Sequence, residues 1–351
     1  MSFPLLSRRE VIAGLGAAGF PRIASATDRE VIVKPGDSIA AALAQAPAGT
    51  TRRLRLMAGG HGPLTLQSLK GGRLELTGED GAVLGPTVVR GSDQIVFRNL
   101  AFRGEKGGAT VPGLVLIDPS SRDILFERCS FATSDSVTGW SSRDWVDRPY
   151  PIGLFARGPQ VSVKESRFFN LRNCLSVAGD GGVVQGCSFE AFGNDAIEFG
   201  ANNLRIVSNR IRGGYHTQVD PLHADGIQGF PAPNSGQYQN ILIDSNIIEF
   251  VGPGDYMQGI TIFDGSWQNV RVTNNKVSVN VWNAIALYGI SGVFVEGNIV
   301  SSTDPKIRNW IEVRASKTGV RSTDVVVRNN VAPLFKTDRG ATLANNQVRL
   351  R

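Results

Sequence analysis

One six-residue phrase recurs along most of this chain and leaves few folds open. Its copies are Ile95–Leu100, Ile124–Cys129, Leu204–Asn209, Ile241–Asn246, Val270–Asn275, Val293–Asn298 and Val325–Asn330. Each opens with apolar residues at alternate positions, the period of a strand with one buried face, and closes on a polar turn. In register, Asn209, Asn246, Asn275, Asn298 and Asn330 share one column. Short strands and turns repeating at irregular intervals of about 20–37 residues specify a solenoid, because one coil cannot bury its apolar face without a neighbour. Stacked asparagines suit such a bend, since each amide can hydrogen-bond its equivalent one coil away.

A second strand follows each phrase: Cys174–Val177, Ala196–Phe199, Gly226–Gly229, Gly259–Ile262, Ala284–Leu287 and Trp310–Val313. Its Ile/Leu column is expected to face the coil interior. Alternation then sends Glu198, Gln228, Thr261, Ala286 and Glu312 outward, followed two residues on by Phe230, Phe263, Tyr288 and Arg314. Over about residues 30–350 this pattern resembles the right-handed parallel β-helix proteins of the pectate-lyase-like group. The resemblance implies an all-β, right-handed parallel β-helix solenoid. A β-propeller is the competitor, but its blades need antiparallel hairpins and more regular spacing.

The chain start reads differently. Residues 1–26 carry Arg8-Arg9 before a mild apolar run, Val11 to Phe20, and then Ala24-Ser25-Ala26. That pattern resembles a twin-arginine export signal, with an ordinary secretory signal as the alternative, and implies a periplasmic or secreted protein. Gly14–Gly19 matches GxGxxG by letter but has no strand before it, so no dinucleotide site is expected. Residues 27–351 read as one domain. Ser38 to Ala46 repeats apolar residues at helical spacing, with Asp37 as the expected N-cap, and this short helix should cover the first coil. Strands near Leu54–Met57 and Leu74–Thr77 begin the stack.

Removing the signal leaves 34 basic and 30 acidic residues, a balance of +4. That mild bias is compatible with an acidic glycan, whereas nucleic acid would call for denser basic clusters. No later run approaches the ~18 apolar residues a membrane span needs. Cys129 and Cys187 share a column two coils apart, roughly 9–10 Å, too far for a disulfide. With Cys174 they are expected to be buried free thiols.

Chemistry concentrates in Tyr215–Gln228, which holds two of the chain's three histidines, His216 and His223, with Asp220, Asp225, Tyr215 and Gln228. The long insertions 133–151, 213–225, 250–258 and 302–309 all precede the second strand, so they should wall one flank. They bring Trp140, Trp145, Arg148, Tyr215, Tyr256, Lys306 and Arg308, over a floor of Phe230, Phe263 and Tyr288. Aromatic faces with nearby polar groups suit sugar rings. Just before each second strand lies a polar column: Asn173, Asp195, Asp225, Gln258, Asn283 and Asn309. Two carboxylates one coil apart must share a cation or a proton, or accept from a cationic partner. A Ca²⁺ held by Asp195, Glu198, Asp220 and Asp225 is one outcome. Zinc on His216 and His223 has less support, with no metal-binding spacing.

Asp220-Pro221-Leu222-His223-Ala224-Asp225 loosely resembles the Asp-Pro-His-Asp signature of mannuronan C5-epimerases, with Leu222 and Ala224 as interruptions. That resemblance implies proton abstraction at C5 of a uronate by His223, oriented by Asp220 or Asp225. Arg314, Lys306, Arg308 and Arg148 are the candidates to neutralise the sugar carboxylate. His216 is a further candidate catalytic residue; Glu198, Gln228, Tyr215, Tyr256, Phe230, Phe263 and Tyr288 are candidate substrate contacts. Two other readings stay open: a glycoside hydrolase using Asp195, Glu198 and Asp225, and a non-catalytic carbohydrate-binding solenoid.

Overall fold

The computed structural model describes residues 30–45, 51–107, 110–215, 223–232, 236–251 and 256–349. Residues 1–26, with the expected export signal, lie outside them, as do His216 and Asp220. Within each coil the chain passes through three strands. Stacking places these in three parallel sheets of thirteen, twelve and eleven strands among the described residues. The repeated phrases form the first sheet, exemplified by Arg122–Glu127, and short strands such as Ser130–Ala132 form the second. The second phrases form the third sheet, running through Asn173–Val177, Asp195–Phe199, Ala224–Gly229, Met257–Ile262, Asn283–Tyr288 and Trp310–Arg314. Every strand pairing is parallel between equivalent positions, as in Asp195 with Asp225. The fold is a right-handed parallel β-helix.

Apolar residues from all three sheets fill the interior, and like side chains stack from coil to coil. The rings of Phe102, Phe131, Phe168 and Phe189 lie nearly parallel at 4.9, 4.5 and 4.8 Å. Residues at the bend from first to second sheet, such as Asn99 (φ 53°) and Asn274 (φ 55°), adopt the left-handed conformation that Asn tolerates best. The next residue points inward and builds the asparagine column. The side-chain oxygen of Asn246 accepts from the backbone N–H of Asn209 at 3.0 Å and from its amide at 2.9 Å, and the pattern repeats through Asn275, Asn298, Asn330 and Asn346. Ser166 belongs to the same column, its hydroxyl accepting from the N–H of Cys129. It separates Cys129 from Cys187, and all three cysteines are buried free thiols.

The N-terminal helix, Ile39–Gln45, packs Ile39, Ala42 and Leu43 into the core. Its cap is not Asp37. The Ser38 hydroxyl accepts from the N–H of Ala41, while Asp37 takes the N–H of Lys34 in the preceding turn. Serine one residue later satisfies the helix equally well and leaves the aspartate to close the turn.

Candidate functional site

The site grows from a departure from strict alternation where the chain enters the third sheet. There two consecutive side chains face the core: Cys174 and Leu175, Ala196 and Ile197, Ala284 and Ile285 are all fully buried in it. The first of each pair must be small. At Gly226 a methyl group would meet the core residue Ile248 at 2.9 Å, and at Gly259 it would meet Val277 at 2.6 Å and the Ala284 carbonyl closer still. The flanking residues, three apart, therefore share the outer side. Asp225 lies outside with Thr261, not inside with Ile227, and Thr261 Oγ1 donates to Asp225 Oδ1 at 2.8 Å.

Asp195 and Asp225 are register neighbours and both are buried. Asp195 Oδ1 accepts from the backbone N–H of Asp225 at 3.1 Å, and its Oδ2 accepts from the Asn194 amide at 2.9 Å. Asp225 Oδ2 lies 2.7 Å from His223 Nδ1. The ring N–H does not point along that line, so this is a charge contact without an in-line hydrogen bond. Burial pushes both carboxyls above the ordinary range. Asp195 is driven furthest, by burial first and then by the charge of Asp225. The imidazole and the Thr261 hydroxyl pull Asp225 back. Asp195 is thus the member of the pair displaced further, and the contact with Asp225 raises the His223 pKa.

His223 opens on a cleft of about 400 Å³ with Tyr256, Gln258, Phe263, Val281, Trp282, Asn283, Tyr288, Arg314 and Lys317. Tyr288 donates its hydroxyl to Glu312 Oε2 at 2.5 Å, and burial, with that carboxylate, pushes its phenol up to about 12. The Arg314 guanidinium lies over the Tyr288 ring at 4.4 Å and 3.6 Å from Glu312 Oε1. Lys317 lies 3.3 Å from Asp264 and 5.7 Å from the centre of the Phe263 ring. Among the described residues lining the cleft, none is Asp or Glu.

The expected residues divide accordingly. His223, Tyr256, Phe263, Tyr288 and Arg314 meet in the cleft, with Asp225 directly behind it. Tyr215 does not join them: it packs against Trp145 at 5.7 Å in a separate hollow of about 480 Å³. Phe230 is half exposed and lines no part of the cleft. Glu198 accepts from the Ser176 hydroxyl at 3.1 Å, its pKa raised by burial, and with Gln228 it stays outside the lining. Thr261, Ala286 and Glu312, expected to face outward, are buried and are not part of the cleft lining. Arg148 is held by Glu105 at 2.6 Å, and Lys306 and Arg308 are exposed on the loop before Trp310, so none of these three lines the cleft. Asn309 leaves the polar column. A register shift pairs Asn283 with Trp310 instead, and the buried Asn309 amide turns to the carbonyls of Val279 and Val281.

Sequence reasoning passed over Lys317, Trp282 and Val281. Trp282 precedes a recognised strand by two residues and carried a usable signal; Lys317 sits in an irregular segment and carried none. As for a metal, among the described residues no three His, Cys, Asp or Glu side chains converge. Of the set expected to hold Ca²⁺, Asp220 lies outside the described residues, while oxygens of Asp195 and Asp225 lie against Asn194, Thr261, His223 and a backbone N–H.

Comparison with known proteins agrees on architecture. A family model described as "Right handed beta helix region" matches residues 152–300. A surface adhesin of Streptococcus pneumoniae, PfbA, superposes with a TM-score of 0.55 at 12% identity, covering 88% of this chain and 86% of the adhesin. The Dettilon tailspike protein gives 0.53 at 14%, covering 90% of this chain and 68% of its own. The A-module of an Azotobacter vinelandii mannuronan C-5 epimerase gives 0.43 at 12%, covering 89% and 92%. No sequence relative is found among curated proteins.

Proposed function

We propose that this is an exported, carbohydrate-active β-helix that removes the C5 proton of a uronate unit in an acidic glycan, as a lyase or an epimerase. The observation that carries this reading is the composition of the cleft. An imidazole backed by a buried carboxylate shares it with two cations, Arg314 and Lys317, and the described lining holds no carboxylate. A hydrolase would need an acid and a base there, so the lining favours an anionic ligand.

In this reading Arg314 and Lys317 neutralise the sugar carboxylate, which makes the adjacent C5–H acidic enough to remove. His223 Nδ1 faces Asp225, so Nε2 of the neutral ring takes the proton while Asp225 stabilises the imidazolium that forms. The electron pair left at C5 then has two fates. Expulsion of the 4-O substituent, which leaves as an alcohol after taking up a proton, gives a 4,5-unsaturated product. Return of a proton to the opposite face gives the epimer. Tyr288, a phenol in the cleft lining, is one group able to supply that proton.

The test is incubation of the purified protein with acidic and neutral polysaccharides. Ultraviolet absorbance from an unsaturated uronate, or an inverted C5 centre by NMR, supports the reading. New reducing ends without unsaturation would replace it with hydrolysis, and binding without turnover would leave a carbohydrate-binding solenoid. Location is tested by fractionating cells that express the full chain, with periplasm or medium as the expected compartment.

A further inference from the structure

The cleft continues into a row of aromatic side chains that proton transfer does not use. Tyr256 is 42% exposed and Trp282 52% exposed, on a fold whose large aromatic side chains are mostly buried. Tyr256, Trp282 and Trp310 stand at the start of three successive strands of the third sheet, so the row runs parallel to the solenoid axis. The Trp282 and Trp310 rings are nearly parallel, 14° apart in plane with centres 6.4 Å apart. On the next coil Lys336 places its ammonium 3.3 Å from the centre of the Trp310 ring. Trp310 Nε1 donates to Asn283 Oδ1 at 3.0 Å, and the Asn283 amide donates to Gln258 Oε1 at 2.5 Å. Gln258 is the register neighbour of Asp225, so hydrogen bonds and strand pairing tie the row to the carboxylate column.

We propose that Trp282, Trp310 and Lys336 form an extended binding surface for further units of the acidic glycan that enters the cleft. The polymer then lies along the axis toward the C-terminal coils. The exposed Trp282 ring takes the C–H face of a sugar unit, and Lys336, held over the Trp310 ring, adds a third cation to Arg314 and Lys317 along the same path. Coils repeat every ~4.8 Å, close to the length of one sugar unit in an extended chain, so successive units meet successive coils. The inference rests on the reading of the cleft as an acidic-glycan site.

The experiment measures binding of oligouronates of two to eight units, prepared from polymannuronate and polygalacturonate, to the full chain by calorimetry. Affinity of the wild type should climb with length. Trp310→Ala should lose about tenfold on the longer ligands and leave the shortest unchanged, while Trp282→Ala, at the edge of the cleft, should also lose about tenfold on the longer ligands. Lys336→Ala should lose about threefold at low ionic strength and less in salt. Trp310→Phe, which keeps a ring at the position, should retain most of the gain with length and guards against a folding defect in Trp310→Ala. A wild-type length dependence in folded Trp282→Ala and Trp310→Phe/Lys336→Ala proteins would overturn the row. Length-dependent binding of neutral oligosaccharides lost in the tryptophan variants would keep the row and overturn the acidic cleft. Failure of every oligosaccharide to bind the wild type would overturn both.

Discussion

Two polar columns run along part of this solenoid, one at each of two bends, and they behave oppositely. At the first bend Asn209, Asn246, Asn275, Asn298 and Asn330 repeat one amide, and each side chain accepts from one neighbouring coil and donates to the other. An amide has donors and an acceptor together, so the pattern propagates without limit. At the entrance to the third sheet the column reads Asn173, Asp195, Asp225, Gln258, Asn283. A carboxylate only accepts, and two adjacent ones repel, so the pattern cannot propagate. Burial and the charge of Asp225 raise the Asp195 pKa, and His223 lies beside Asp225. The first column holds the coils together; the second buries two carboxylates side by side.

The sharpest break between the columns is functional. His223→Ala should lower turnover of an acidic glycan about 10²–10⁴-fold, the usual contribution of a general base, in a protein that still folds by circular dichroism. Asn275→Ala should do the reverse. It strands the buried backbone N–H of Asn246 and its amide, and should cost about 3 kcal/mol in denaturant unfolding, with turnover per folded molecule preserved.

A smaller effect of opposite sign is expected at Asp195. Its folded pKa lies above the ordinary 3.8, so the native state binds the proton more tightly than the unfolded chain. Wild-type stability from this group is therefore present at low pH and falls as pH rises from 3.8 toward the folded value. Asp195→Asn removes that slope and should stabilise the protein at neutral pH by about 1 kcal/mol, read from denaturant midpoints across pH. Were the amide destabilising at neutral pH, the raised pKa of Asp195 would be wrong.

The smallest effect is a shift in a pH profile. His223 must be neutral to act as base, and its pKa is raised above 6.5 by Asp225. The rate should therefore rise with pH through a value above 6.5, and Asp225→Asn should move that limb down. The same contact stabilises the fold below the unfolded histidine pKa and is lost as pH climbs through the folded one.

The asparagine column could be read directly from sequence because identical residues recur at identical places in each phrase. Ser166, Cys129 and Cys187 stand in the same column unseen as ladder members, because a hydroxyl or thiol can hold the position without announcing an amide. The site was half legible. Asp195 beside Asp225, and Arg314 on the flank of His223, follow from register alone. The outward turn of Asp225 does not, because strict alternation would place it with Ile227; only the small residues Gly226 and Gly259 hint at the doubled inward position. Tyr215 misled because nearness in sequence to His223 suggests nearness in space, whereas its ring is captured by Trp145 on another flank.

The central claim is that His223 removes a proton from C5 of a uronate. Incubating polyuronate with the protein in D₂O and examining products by mass spectrometry tests it most directly. The account predicts C5 deuterium or 4,5-unsaturation with the wild type and neither with His223→Ala. Equal deuterium or unsaturation from His223→Ala, or cleaved products carrying neither mark, would contradict it.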